Sequence, residues 1–298
     1  MNKYDSLKGG DWTSITAFIR KYPVLTYVAL AFIISWGALI ILAGPGGFPG
    51  TPESTVGLLP FAVLSIVAGP SIAGILVTGV VHGRAGLRGM RSRLERWRVS
   101  ARWYALALLT APILMTIILL ALSLVSPAFL PGIVTSADTA SLVMLGIFIA
   151  VAAGIFEELG WTGFATPELR KKYGVFTTGI IVGVVWAAWH LLFAYWFSGT
   201  VSGPLSLASY LLDPFLFLLP FRVIMVWVYD RTGSLLVAAL MHGSLTASAR
   251  ILTPQAFAGV PLMTFDLAWT AVLWVTIAMI AMAGRGRFLR PELRELKT

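Results

Sequence analysis

Long apolar runs separated by short polar stretches set the pattern of this chain. A bilayer-crossing helix needs about 20 mostly apolar residues. Eight stretches qualify: Pro23 to Leu42, Val56 to Val81, Trp103 to Leu124, Ala140 to Phe164, Phe176 to Phe197, Ser209 to Tyr229, Leu235 to Leu252, and Leu267 to Gly284. The first is too long, and lacks the small-residue cleavage site, for a signal peptide. Pro70 interrupts the second, which a membrane helix tolerates when neighbours satisfy the freed backbone groups. The pattern predicts an all-α, polytopic membrane protein, one domain over residues 1–298.

Composition narrows the function classes. The 298 residues are 58% hydrophobic and 12% charged, whereas a soluble globular chain is roughly 45–50% apolar and about 25% charged. A soluble enzyme, a disordered chain and a nucleic-acid binder are poor readings, despite the net charge of +9. With no cysteine there are neither disulfides nor thiolate metal sites.

Charge placement tests the eight-span reading independently. Of the 22 Lys and Arg, 20 fall on one side of the membrane: before span one, between spans two and three, four and five, six and seven, and after span eight. The opposite connections hold only acids, Glu53, Asp138 and Asp266. Positive-inside bias puts both termini in the cytoplasm, with the basic face against anionic lipid. Within the basic segment 84–102, Leu87, Met90, Leu94 and Trp97 recur between arginines, the spacing of an interfacial helix.

The polar groups left inside the spans carry the candidate chemistry. A charge at the centre of a membrane helix costs roughly 2.5–3.5 kcal/mol on insertion scales, and such residues face the bundle interior and mark function. At about 1.5 Å per residue, Glu157 lies about 20 Å from the cytoplasmic Arg170, His190 about 21 Å from the start of its helix, and His242 about 14 Å into its own. Three chemically capable groups on three helices therefore converge near mid-membrane. Glu157 and Glu158 are adjacent, so they point about 100° apart on a helix. Trp186 precedes His190 by one turn, and Thr246 follows His242 by one turn on the same face. Arg222 and Arg250 are the two basic residues inside spans. Arg250 reads as snorkelling to the outer interface, and Asp213 as the start of span six.

Glu157-Glu158-Leu-Gly-Trp-Thr162, Trp186-xxx-His190 and His242-xxx-Thr246, each on its own helix, resemble the EExxxR, FxxxH and HxxxN motifs of the CAAX-protease and bacteriocin-processing family of intramembrane endopeptidases. The resemblance covers about residues 141–252. It implies a prokaryotic multi-pass plasma-membrane protein that hydrolyses membrane-anchored proteins or peptides. It assigns Glu157 and His190 to activating water, and His242 and Thr246 to stabilising the oxyanion. A neutral imidazole would be the donor there. Glu158, Thr162, Trp186 and Arg222 would be supporting residues.

Three residues depart from the motifs. Thr162 replaces the arginine, Trp186 the phenylalanine and Thr246 the asparagine. Thr162 leaves the two acids with no cation nearby in sequence, so they are expected to share a proton. Arg222 on span six could supply that charge. The expected site holds no metal or other cofactor. The alternative within the enzyme reading is zinc bound by Glu157, His190 and His242, although HExxH is absent. Two other classes compete: an inactive relative that binds membrane proteins or confers bacteriocin immunity, and a proton-coupled transporter. A transporter would show inverted repeats and broken helices, and the sequence displays neither.

Overall fold

The computed structural model describes residues 6–200, 203–254 and 257–283, and their long elements are nine helices. These are α1 (Ser6–Lys21), α2 (Pro23–Ala43), α3 (Pro52–Leu94), α4 (Ala101–Ser123), α5 (Thr139–Arg170), α6 (Val175–Ser198), α7 (Pro204–Thr232), α8 (Leu235–Leu252) and α9 (Gly259–Ala283). The last eight are long and apolar enough to cross a membrane, and the protein is an integral, multi-pass membrane protein. The basic residues Lys3 and Arg285 to Lys297 lie outside the described residues.

Helix ends follow the local sequence. Thr51 and Ser54 form a reciprocal capping box at the start of α3. Asp138 accepts from the Ser141 amide at 3.0 Å to cap α5, and Ser234 from the Val237 amide at 3.2 Å to cap α8. α7 stops at Gly233, whose φ of 60° suits glycine, with its N–H on the Tyr229 carbonyl at 2.7 Å.

Three sequence expectations change. The eighth span begins at Gly259 rather than Leu267, so Asp266 is not a loop acid. It is buried inside α9, and its carboxyl faces that of Asp213. Asp213 in turn lies ten residues into α7, not at its start. The helix of the basic segment ends at Leu94 instead of running to Arg102. It continues α3 past a kink at Gly83 (φ 63°). That segment is tied to the bundle: Arg93 donates to the Gly163 carbonyl (2.8 Å) and the Tyr229 hydroxyl (2.7 Å), and Ser234 donates to the Arg96 carbonyl (2.6 Å).

Two helices are locally widened, though not broken. α5 has π-helical turns at Ala153–Glu157 and Trp161–Ala165, and α7 has one at Pro214–Leu218. A π turn disturbs the i→i−4 ladder, and a membrane interior offers no water to satisfy the carbonyls released. Neighbouring side chains do so here. Ser71 donates to the Phe156 carbonyl, Thr166 to that of Trp161 (2.8 Å), and Trp269 to that of Phe217 (3.0 Å).

Small residues then let α5 sink between α3 and α8. A Cβ on Gly160 would stand 2.3 Å from the Pro70 carbonyl oxygen, and one on Gly154 would stand 2.5 Å from that of Ala239. The backbone carrying Glu157 and Glu158 is thus held at the centre of the bundle. Gly160→Val is expected to cost about 1–3 kcal/mol by overpacking. Gly89→Ala, with open space around the new Cβ, should be neutral or gain up to about 1 kcal/mol of helix stability. Unfolding midpoints in detergent, followed by tryptophan fluorescence, compare the two. Equal midpoints would refute the close-packing account.

Candidate active site

The widened α5 sends its adjacent acids to different partners. Glu158 is fully buried and receives both forks of Arg222, at 2.8 and 2.9 Å. It also meets His242 Nδ1 at 2.8 Å and accepts from the Thr162 hydroxyl. Glu157 instead accepts from the indole N–H of Trp186 at 2.8 Å, with His242 Nε2 at 3.9 Å. Arg222 therefore supplies the cation that Thr162 does not, from a helix 64 residues downstream. The acids do not meet as a proton-sharing pair without a counter-charge. One is neutralised by the guanidinium, and the other is not.

Trp186 is the hub. Its ring lies 4.0 Å from the Arg222 guanidinium carbon, a cation–π contact. It meets the rings of His190 and His242 edge-on, at centroid distances of 5.6 and 5.0 Å. The phenylalanine of the related motif has no N–H, so tryptophan here adds a donor to Glu157. The sequence had marked Trp186 only as a supporting residue in place of that phenylalanine.

Hydrogen-bond partners fix the histidine tautomers. His242 Nδ1 faces a carboxylate and His190 Nδ1 faces the Trp186 carbonyl at 2.9 Å. Both partners only accept, so each neutral ring holds its proton on Nδ1 and leaves Nε2 bare. A neutral His242 held in this way has no proton on Nε2, the nitrogen 3.9 Å from Glu157, and the ring lies between two carboxylates.

Glu157, Trp186, His190, His242 and Thr246 line one cavity of about 340 Å³. Glu158, Thr162 and Arg222 stand behind its wall. The cavity also takes in Asp213 and Arg250, which the sequence placed at the outer surface, and Tyr210, which no sequence motif marked. Of the three, Arg250 alone had a signal, the i, i+4, i+8 spacing of His242, Thr246 and Arg250 on α8. Among the described residues, no three His, Cys, Asp or Glu side chains are grouped to hold a metal ion.

Residues 139–248 match the family model described as type II CAAX prenyl endopeptidase Rce1-like. The chain is also 32% identical over 101 residues to CAAX prenyl protease 2 of the archaeon Methanococcus maripaludis. That match covers 32% of this chain and 36% of the relative, so the chain spans about a third of that protein's length. The family-model match falls on the motif-bearing segment, and the resemblance to the CAAX-protease family holds there.

Truncating Arg222 tests the electrostatic frame. Arg222→Leu leaves a buried carboxylate uncompensated and is expected to cost about 3–5 kcal/mol. Thr162→Arg in that background places a guanidinium one turn from Glu158, in the space vacated, and should recover much of the loss. Unfolding in detergent reports both. An unchanged midpoint in Arg222→Leu would show that the ion pair carries no weight.

Proposed function

We propose that the protein is an intramembrane endopeptidase acting on membrane-anchored proteins or peptides, with Glu157 as the base that activates water. The observation that carries this reading is the contrast between the two acids. Glu158 is spent on Arg222 and His242, whereas Glu157 faces a cavity with a single neutral donor, Trp186, and two imidazoles beside it.

The steps follow from those positions. Water bound between Glu157 and His190 Nε2 gives a proton to the Glu157 carboxylate, and its oxygen attacks the scissile carbonyl carbon. The carbonyl electrons move to oxygen. Doubly protonated His242, through Nε2–H, and the Thr246 hydroxyl donate to that oxyanion. Glu158 orients His242 through Nδ1, the part a buried carboxylate plays for a histidine in a catalytic triad. When the C–N bond breaks, the departing amine takes the proton from Glu157. With His242 charged, the cluster of Glu157, Glu158, Arg222 and His242 sums to zero, which suits a low-dielectric interior.

The reading is metal-free. What supports this is that, among the described residues, the acids and imidazoles are not grouped as a ligand set. Purified active protein is expected to contain substoichiometric zinc and to keep its activity after strong chelators. Loss of activity restored only by added zinc would overturn this part.

Glu157→Gln is expected to abolish cleavage of a membrane-anchored reporter in liposomes, because the amide keeps the shape but accepts no proton. Glu158→Gln should weaken cleavage less per folded molecule, because it acts through His242 and Arg222. Full activity in Glu157→Gln would remove the base assignment. Wild-type inactivity across a broad reporter panel would favour the inactive-relative reading.

A further inference from the structure

We infer that the substrate enters this site from the membrane half opposite the basic loops, the extracytoplasmic half, as an extended apolar segment. The inference deepens the proteolytic reading by naming the side and form of the substrate. Its sidedness stands on geometry alone.

All the lining residues lie away from the basic end. α6 leaves that end at Val175, yet contributes only from Trp186 onward, about 16 Å along the helix. α3 reaches it at Arg84, yet contributes only Leu59, Val63, Ile66 and Val67 from its opposite half. α8 starts there at Leu235, and its lining runs outward from His242 to Arg250. Glu157 is thus the floor of the cavity and Arg250 belongs to its mouth.

The mouth continues outward. A second cavity of about 690 Å³ shares Tyr210, Asp213, Phe217 and Arg250 with the first. It reaches Pro52, Thr200, Thr253 and Pro254 at the far helix ends. By contrast, the cavity at the basic end, lined by Arg102, Trp103, Leu106, Trp227 and Arg231, shares no residue with the site. The Glu158–Arg222–His242 network and the Trp186 ring stand between Glu157 and that end. Among the described residues, the connections at the open end hold no Lys or Arg. Positive-inside bias makes that end extracytoplasmic.

The passage also limits the ligand. From His242 to Thr253 is about 17 Å along α8, or about five residues of extended chain. Its walls are mainly Leu59, Val63, Ile66, Phe193, Phe197 and Phe217. In a helix each carbonyl is engaged by the amide four residues on, and the backbone is enclosed by its own side chains, which closes the scissile bond to attack. The segment must therefore unwind and present apolar side chains, and the hydrolytic water follows the same path past Tyr210, Asp213 and Arg250.

The chain contains no cysteine, so single-cysteine variants report sidedness directly. Ala249→Cys and Ala194→Cys probe the passage, and Ser92→Cys probes the basic loop. A membrane-impermeant maleimide applied to intact cells is expected to label both passage variants. It should label Ser92→Cys only after permeabilisation. Passage variants that label only after permeabilisation, or under neither condition while Ser92→Cys labels, would overturn the inference. As the substrate arm, reporters with an apolar five-residue stretch at the extracytoplasmic end of their anchor should be cleaved in preference to those with it at the cytoplasmic end. The reverse preference would overturn the access route. Absence of all cleavage with the labelling pattern intact would count against proteolysis and not against sidedness.

Discussion

A buried carboxylate in a membrane interior must be neutralised, and the rest of this site is arranged around how Glu158 achieves it. Arg222 reaches it with two parallel hydrogen bonds, the geometry in which guanidinium and carboxylate match best. Removing two charges from solvent is costly, and such a pair is weak evidence for stability on its own. Its consequence is positional. It joins α5 to α7, fixes a carboxylate oxygen for His242 on α8, and sets the guanidinium against Trp186 on α6. Four helices are oriented by one pair of side chains.

The departures from the motif make sense within that frame. Thr162 cannot supply charge, but it still donates to Glu158, and Arg222 supplies the charge from elsewhere. Trp186 replaces a ring without a donor by one whose N–H holds Glu157. A missing arginine is therefore not by itself an argument for an inactive protein. The electrostatic requirement can be met by any helix that brings a cation to the same atom.

Much of this was legible in the sequence, and the limits have physical causes. Spans are a one-dimensional signal, written in run length, and the eight helices follow it closely. The convergence of Glu157, His190 and His242 follows from depth, which a rise per residue supplies. Rotation about each helix axis and the choice of neighbours are not written locally. The Arg222–Glu158 contact was accordingly open from sequence, and the division of labour between the two acids came only from the resemblance to the family's motifs. The π turns that set their directions depend on Ser71 and Thr166 meeting released carbonyls. Asp266 was misplaced for a related reason. An acid near an apolar run reads as a boundary, unless the Asp213 side chain on another helix is already known to face it.

The remaining question is why Glu157 is there. With Glu158 and Arg222 paired, the centre of the bundle is already neutral, and Glu157 adds a charge that no guanidinium compensates. An apolar side chain of similar volume would spare the structure that cost, at roughly 2.5–3.5 kcal/mol for a central charge. Its packing role is also replaceable, because its one close polar contact is a single neutral donor. A group that burdens the fold, faces a cavity, and stands beside two imidazoles with bare Nε2 atoms is explained by chemistry better than by architecture. On the proposed reading, the charge that burdens the resting fold is the one that the reaction uses as its base.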